Sequence, residues 1–435
     1  MPVGTSWGRW PRHQQRLITL ASRFNSLPDV ASMLPYGNGR SYGDVCLNGG
    51  GSLLLTRGLD RFVSLDLVSG IVECEAGALL SEIIGLTLPH GWFPAVTPGT
   101  ALVTVGGAIA NDVHGKNHHR TGSFGHHVIE FELQRSDGQI LRCAQDHNQE
   151  WFCATIGGLG LTGLIRKARL QLRRVPGPWM AGNSQRFGGV AEFLALAPQS
   201  DRDHEYTVAW LDCATVGPKL GRGVLMRANH VAHTAAAPRR KSPRRLPFTP
   251  PVSLVNGLSV RLFNQLYFHR PAAHAPHALW HYQSFLYPLD GVLQWNRIYG
   301  PHGFFQYQCV LPGTAAEEAA ALQEMLQRIA RSGLGSFLAV LKKFGDMPSL
   351  GLLSFPRSGV TLALDFPNAG TATLRLLEDL DAITRAVGGA VYPAKDARMS
   401  AESFQRYFPG WQQLHRFIDP KFSSSFWRRV TGSTT

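Results

Sequence analysis

The stretch from Pro98 to Gly125 holds six glycines, four of them beside Thr, Ser or another Gly, and sets His114, Lys116, His118 and His119 within six residues. Glycines let a backbone approach a ligand closely and offer bare N–H groups to phosphate oxygens. The His/Lys cluster adds groups that titrate beside that contact. A second segment of the same kind lies upstream: Pro35-Tyr36-Gly37-Asn38-Gly39-Arg40-Ser41-Tyr42-Gly43-Asp44, then Asn48-Gly49-Gly50-Gly51. Two separated glycine-rich anion cradles point to a long cofactor that carries phosphate. Gly157, Gly158, Gly160 and Gly163 add only a weak dinucleotide signal, because no acidic residue follows about twenty positions on.

Positioning such loops requires rigid elements on either side. Leu53–Leu55, Phe62–Asp66 and Gly70–Cys74 read as short strands bounded by Gly or Asp. Ala78 to Leu86 and Gly106 to Val113 read as helices. Val128 to Cys143 reads as a hairpin turning at Ser136-Asp137-Gly138, and Leu164 to Val175 as an alternating strand. Many short strands without strand–helix repetition disfavour a Rossmann sheet. Later, Thr314 and Glu317 form a capping box for a helix that runs to Arg331 and stops at Gly333. With strands at Gly303–Val310, Phe337–Phe344, Val360–Phe366 and Ala390–Tyr392 and a helix at Thr371–Val387, strand–helix–strand occurs twice. That is the layout of a ferredoxin-like sheet with helices on one face. Ser400–Phe408 and Phe426–Val430 read as closing helices, and Leu254–Phe268 as a helix that either packs in the core or faces lipid, the core being the preferred reading.

The chain has 435 residues, 44% hydrophobic and 17% charged, which is long enough for two or three domains and excludes extended disorder over most of its length. Residues 233–251 are the exception: prolines interleave with Arg239, Arg240, Lys241, Arg244 and Arg245, which predicts a mobile cationic loop. The net charge of +13 favours an anionic partner. No basic motif interleaved with aromatics supports nucleic acid, which leaves an anionic membrane surface or a phosphorylated substrate. None of the six cysteines forms a CxxC pair, so reduced thiols and no metal site are expected. Trp7, Arg9, Trp10, Pro11 and Arg12 interrupt the N-terminal stretch, which has no signal-peptide core, and no run approaches the ~20 apolar residues of a membrane span. The expectation is a cytoplasmic protein, soluble or peripheral at the inner membrane.

Several segments, in order along nearly the whole chain, resemble FAD enzymes of the vanillyl-alcohol-oxidase type, and within them the decaprenylphosphoryl-ribose 2-oxidase branch. They include Gly39-Arg40-Ser41-Tyr42-Gly43-Asp44, Val105-Gly106-Gly107-Ala108-Ile109-Ala110, His114-Gly115-Lys116-Asn117-His118-His119 and Gly122-Ser123-Phe124-Gly125. Further matches are Trp295-Asn296-Arg297, Gln306-Tyr307-Gln308, Asp365-Phe366-Pro367 and Ala394-Lys395-Asp396.

The resemblance implies an α+β protein. A two-part FAD-binding domain of the PCMH type, residues 1–175 completed by 390–435, would flank an inserted ferredoxin-like antiparallel-sheet substrate domain, residues 176–389. FAD would contact Tyr36, Gly37, Asn38, Gly39, Arg40, Ser41, Tyr42, Gly43 and Asp44. It would also contact Gly99, Thr104, Val105, Gly106, Gly107, His114, Ile165 and Tyr392. Backbone N–H groups of both loops would neutralise the two phosphates. Relatives that bind flavin covalently use a His where Arg40 stands, so noncovalent FAD is implied.

The implied activity is oxidation of the C2 hydroxyl of a polyprenyl-phosphoryl ribose, the first half of a 2-epimerisation that yields an arabinose donor. An NAD(P)-dependent short-chain reductase would be the partner. Lys395 and His114 would be the catalytic residues, and Lys116, Gln306, Gln308 and Lys342 would hold substrate. Ala363 stands where mycobacterial members carry Cys, so a thiol-directed reaction is not implied here. A soluble sugar, alditol or aldonolactone oxidase of the same FAD family remains the alternative.

Overall fold

The computed structural model describes residues 3–234 and 244–433. Strands β1 (Arg16–Thr19), β2 (Met33–Tyr36) and β3 (Ser52–Leu55) form a parallel sheet in the order β1-β3-β2. The next strands are β4 (Phe62–Asp66), β5 (Ile71–Glu75), β6 (Trp92–Pro94), β7 (Val128–Gln134), β8 (Ile140–Ala144) and β9 (Leu164–Arg174). They build an antiparallel sheet, β4-β5-β9-β7-β8, with β6 also paired to β9. The β7–β8 turn places Gly138 at φ +88°, a backbone state that glycine adopts without strain. Helices α1 (Leu80–Thr87), α2 (Val105–Ala110), α3 (His118–Thr121) and α4 (Gln149–Thr155) connect these strands. Val72, Val105, Ile109, Phe131, Ile165 and Leu170 close the core between them.

The second half is an eight-stranded sheet with its helices and a separate two-stranded parallel ribbon. Its first group is β10 (Trp179–Phe187), α5 (Val190–Asp203), β11 (Tyr206–Leu211), β12 (Gly223–Val231), β13 (Arg244–Arg245), α6 (Gly257–His269), β14 (Ala275–His281), α7 (Tyr282–Leu286) and β15 (Val292–Leu293). Its second group is β16 (Phe304–Leu311), α8 (Ala315–Ser332), β17 (Ala339–Phe344), β18 (Gly359–Pro367), α9 (Thr371–Ala386) and β19 (Ala390–Val391). The sheet order is β14-β10-β12-β11-β17-β18-β16-β19. Each half therefore repeats the same permutation, fourth-first-third-second in its own strand count, and the halves join edge to edge through Ala209–Leu341 and Trp210–Val340. The ferredoxin-like layout read for the later strands is thus present, and an unforeseen second copy precedes it.

Period-two alternation gives this sheet two different faces. Tyr307, Cys309, Leu341, Leu362 and Leu364 are buried with Leu322, Met325 and Leu380 of α8 and α9 in one apolar core. Gln306, Gln308, Lys342 and Ala363 point the other way, into a cavity.

Two expectations are corrected here. The described end of the 233–251 segment is anchored: Arg244 and Arg245 pair with Val292 and Leu293, and Arg297 donates to the carbonyls of Leu246 and Pro247. Arg239, Arg240 and Lys241 lie outside the described residues. Helix α6 is not a core helix, because only Val260 and Asn264 are buried and its leucines face outward. The edge strand β19, Ala390–Val391, pairs with β16 at the end of the large sheet.

After β19 come α10 (Ala401–Tyr407), α11 (Trp411–Leu414) and α12 (Ser425–Thr431). This tail returns to the start of the chain. Met33 N donates to Lys421 O, Ser423 N donates to Met33 O, and Arg429 bridges Asp44 and Asp396 at 2.7 and 2.9 Å.

Candidate active site

A cavity of about 870 Å³ lies between the glycine loops and the polar face of the large sheet. Tyr36, Gly37, Asn38, Gly39, Arg40, Ser41 and Tyr42 line it from the first loop. Gly99, Thr104, Gly106, Gly107 and His114 line it from the second, and Ile165 from β9. Gln306, Gln308, Lys342, Tyr392 and Lys395 complete the wall on the sheet side.

The first loop is built as an anion nest. The N–H groups of Gly37, Asn38, Gly39, Arg40 and Ser41 enter no hydrogen bond among the described residues. Gly39 takes φ +61°, which turns the run back on itself. Gly37 fits because a Cβ there would fall 2.4 Å from Thr104 Oγ1. The Arg40 guanidinium stacks 4.4 Å over the Trp7 ring and donates to Asn38 O at 2.8 Å.

The second loop differs from its expected role. Val105 N donates to Ala78 O, Gly106 N to Ala76 O, and Gly107 N to Thr104 Oγ1. These donors are already satisfied and are not free for phosphate.

Four residues expected at the site do not line the cavity. Gly43 is needed for close approach, since a Cβ would lie 1.7 Å from Asp396 O. Asp44 is buried against Arg429. Val105 is fully buried in the core beneath α2. Lys116 donates its Nζ to the carbonyls of Phe285 and Leu286, at 2.5 and 3.0 Å, and burial pushes its pKa down to about 7. It braces α7 and the turn after it.

On the catalytic side, Gln308 Nε2 meets His114 Nε2 at 2.8 Å. With the amide nitrogen donating, the imidazole proton sits on Nδ1, a buried atom with no partner. Burial, then Lys342, His118 and Lys395, hold His114 well below the ordinary histidine pKa, so the ring is neutral. Phe344, Phe355 and Tyr392 box it in, and Tyr392 donates to Asn111 O at 2.8 Å.

Lys395 ends a short 3-10 turn after β19, with Nζ 3.9 Å from the Tyr42 ring centroid. Burial lowers it to about 7 against the opposing pull of Asp365, and Lys342 lowers it further. Asp365 is pushed up to about 7 by burial, opposed by the Gln306 hydrogen bond at 2.6 Å. Burial brings Lys342 to about 8. This is one amine, poised near neutrality, beside a carboxyl and a second cation.

Some lining residues carried no clear sequence signal. Asn111 lines the cavity with its Oδ1 buried and unpartnered, and residues of the Leu289–Trp295 segment line it too. Asp290 ties that segment to the second loop by accepting from Ala101 N at 2.9 Å. Among the described residues no cluster of His, Cys, Asp and Glu is arranged to hold a metal ion.

A long flavin nucleotide fits these residues. The five free N–H groups suit a pyrophosphate, while the unpartnered His114 Nδ1 and Asn111 Oδ1 offer a donor and an acceptor to a heterocycle. Independently, residues 11–144 match the FAD binding domain family. Fold and site together define an FAD-dependent oxidoreductase. The chain is 35% identical over 412 residues to the decaprenylphosphoryl-beta-D-ribose oxidase of Mycolicibacterium smegmatis, covering 91% of this chain and 88% of the relative. It belongs to that oxidase family. An uncharacterised Streptomyces coelicolor protein is 34% identical over 81% of this chain and 99% of its own length. Cytokinin dehydrogenase 2 of Arabidopsis thaliana matches only 37% of this chain and 31% of its own, at 30% identity.

Proposed function

We propose that the protein oxidises the C2 hydroxyl of a polyprenyl-phosphoryl ribose to the 2-keto sugar. The observation that carries this reading is Lys395, a buried amine near pKa 7, in one cavity with Lys342, Gln306 and Gln308. The relative that matches 91% of the chain is named for that substrate. When bound, FAD supplies a two-electron acceptor for the C2 hydride. Lys395 in its neutral form takes the hydroxyl proton at Nζ. Gln306, whose amide is already fixed by Asp365, and Gln308 hold sugar oxygens. Lys342 sets a positive charge toward the substrate phosphate. His114, neutral and oriented by Gln308, presents Nδ1–H to the cofactor side. The nest from Gly37 to Ser41 holds the pyrophosphate without a covalent link.

The same reading divides the chain into a cofactor part, residues 1–175 and 390–435, and a substrate part, 176–389. A 2-keto product requires a hydride donor to complete epimerisation, so an NAD(P)-dependent reductase is the partner. The lipid substrate puts the enzyme at an anionic membrane surface on the cytoplasmic side. On this reading attachment is peripheral; no helix among the described residues is long and apolar enough to cross a membrane.

The test is the absorbance of the oxidised flavin, taken anaerobically before and after polyprenyl-phosphoryl ribose is added in detergent micelles. Bleaching is the expected result. Bleaching by a free alditol or aldonolactone, and not by the lipid, would replace the substrate assignment.

A further inference from the structure

Behind the Trp295 wall of the cavity the protein presents an apolar ridge. Leu258, Leu262 and Leu266 recur every four residues along α6 and are 80%, 61% and 67% exposed. Phe248, Val252 and Leu254 continue the ridge into the preceding strap and are exposed as well. Neither helix nor strap is loose. Asn256 caps α6 by accepting from Leu258 N and Ser259 N. On the opposite side Val260 is buried with Trp295, and Asn264 donates to Asp212 at 2.8 Å. The strap is pinned by Leu254 N to Ile298 O, and Arg244–Arg245 pair with Val292–Leu293. Arg245, Val292, Leu293 and Trp295 line the cavity, and Val260 of α6 packs with Trp295, so the helix backs directly onto a residue of the cavity wall.

The sequence around it is cationic: from Cys213 to Leu289 there are ten Lys and Arg and no Asp or Glu, of which Arg222 is engaged by buried Asp212 and Arg227 by Asn183, Gln185 and Ser200. Arg244, Arg245 and Arg261 are exposed on the strap and on α6 itself. A fixed helix with a leucine stripe and cationic flanks suits a surface that is apolar inside and anionic outside. A lipid bilayer is such a surface: the apolar face sinks to the boundary of headgroups and acyl chains, and each nearby Lys or Arg is drawn to anionic lipid. A protein partner would need an acidic groove cut to the same stripe. Solvent exposure of this ridge is otherwise unfavourable.

We infer that the Leu258–Leu262–Leu266 ridge of α6 inserts into the interface of a bilayer bearing anionic lipid and sets the cavity mouth against the membrane. The inference rests on the proposed lipid substrate for its purpose and on the ridge for its place. A polyprenyl chain then reaches the cavity along the apolar strap without crossing water.

The experiment uses the full chain loaded with FAD and vesicles of phosphatidylcholine with or without phosphatidylglycerol. Two variants accompany it: the triple change Leu258→Ser, Leu262→Ser, Leu266→Ser, and the single change Leu262→Trp. The unaltered protein is expected to float with phosphatidylglycerol vesicles and be released by salt. The triple variant, still yellow and folded, should bind at least tenfold more weakly. The indole introduced by Leu262→Trp should shift its emission to the blue on vesicle binding. Equal binding by the triple variant would leave docking to the basic residues alone and overturn the proposal, as would an unshifted indole. A blue shift that grows with protein concentration, without vesicles, would make the ridge a contact between copies and overturn it too. Flavin bleaching by the lipid in micelles reads the proposed reaction separately, so either idea can fail alone.

Discussion

Gln308 on the large sheet and His114 on the cofactor-side loop meet at 2.8 Å, both buried, and this bond joins the two walls of the cavity. Gln308 sits in register with Ala363 and also reaches Thr361 at 3.3 Å. The bond fixes which imidazole nitrogen carries the proton. Gln308→Leu leaves a buried ring nitrogen without its partner, a cost of about 1–3 kcal/mol. Flavin should stay bound, the urea midpoint should fall, and anaerobic bleaching should slow. An unchanged bleaching rate would remove Gln308 from the positioning of His114.

The Lys395 pair sets the pH dependence. An amine lowered to about 7 is protonated below that pH and a free base above it. Substrate reduction of the flavin should therefore rise with pH through about 7 and level off. Asp365 raises the Lys395 pKa, so Asp365→Asn should move this limb to lower pH. Lys395→Met should keep the protein yellow and abolish bleaching. A rate independent of pH between 5.5 and 8.5, roughly three units bracketing that value, would rule out Lys395 as the base.

Gly43 allows the first loop to dock on the segment ending in Lys395, with Tyr42 N donating to Ala394 O at 2.8 Å. Its φ is an ordinary −121°, so the constraint is purely one of space. Gly43→Ala drives a methyl into Asp396 O, an overpacking cost of about 1–3 kcal/mol. Purified protein should show a lower ratio of flavin to protein absorbance, restored in part by added FAD. Full occupancy would show that this contact does not support the nest.

Arg429 neutralises two carboxylates that are almost fully buried, Asp44 and Asp396. Arg429→Ala strands both charges, and a loss near 3 kcal/mol is expected. The change in denaturant midpoint measures it. A Leu substitution that proved neutral would mean the carboxylates relax to solvent.

Noncovalent flavin has a simple check. The cavity wall offers His114 and Cys46 as its histidine and cysteine, and burial followed by Asp44 pushes the Cys46 thiol up to about 12. Such a thiol is a poor nucleophile. Acid precipitation should leave the colour in the supernatant, whereas a yellow pellet would show a bond to the chain.

Much of this was visible in local pattern. The Thr314–Glu317 capping box, the Gly138 turn and the strand at 360–366 depend on neighbours in sequence, and each forms as read. The first four-strand unit was hidden because α5 lacks a side-chain cap and carries Pro198 within its length. Apolar spacing identified α6 as a helix. It did not reveal that the leucine stripe faces away from the protein, because that depends on what Trp295 and Phe337 already cover. Lys116 was misread for a similar reason: its carbonyl partners lie 169 and 170 residues away. The satisfied backbone donors of Val105 and Gly106 depend likewise on Ala78 and Ala76, which no motif marks.

The tie between Asp44 and Arg429 spans 385 residues. The loop's own residues therefore do not hold it in shape: its support is a tertiary contact, present only once α12 has docked beside Asp44.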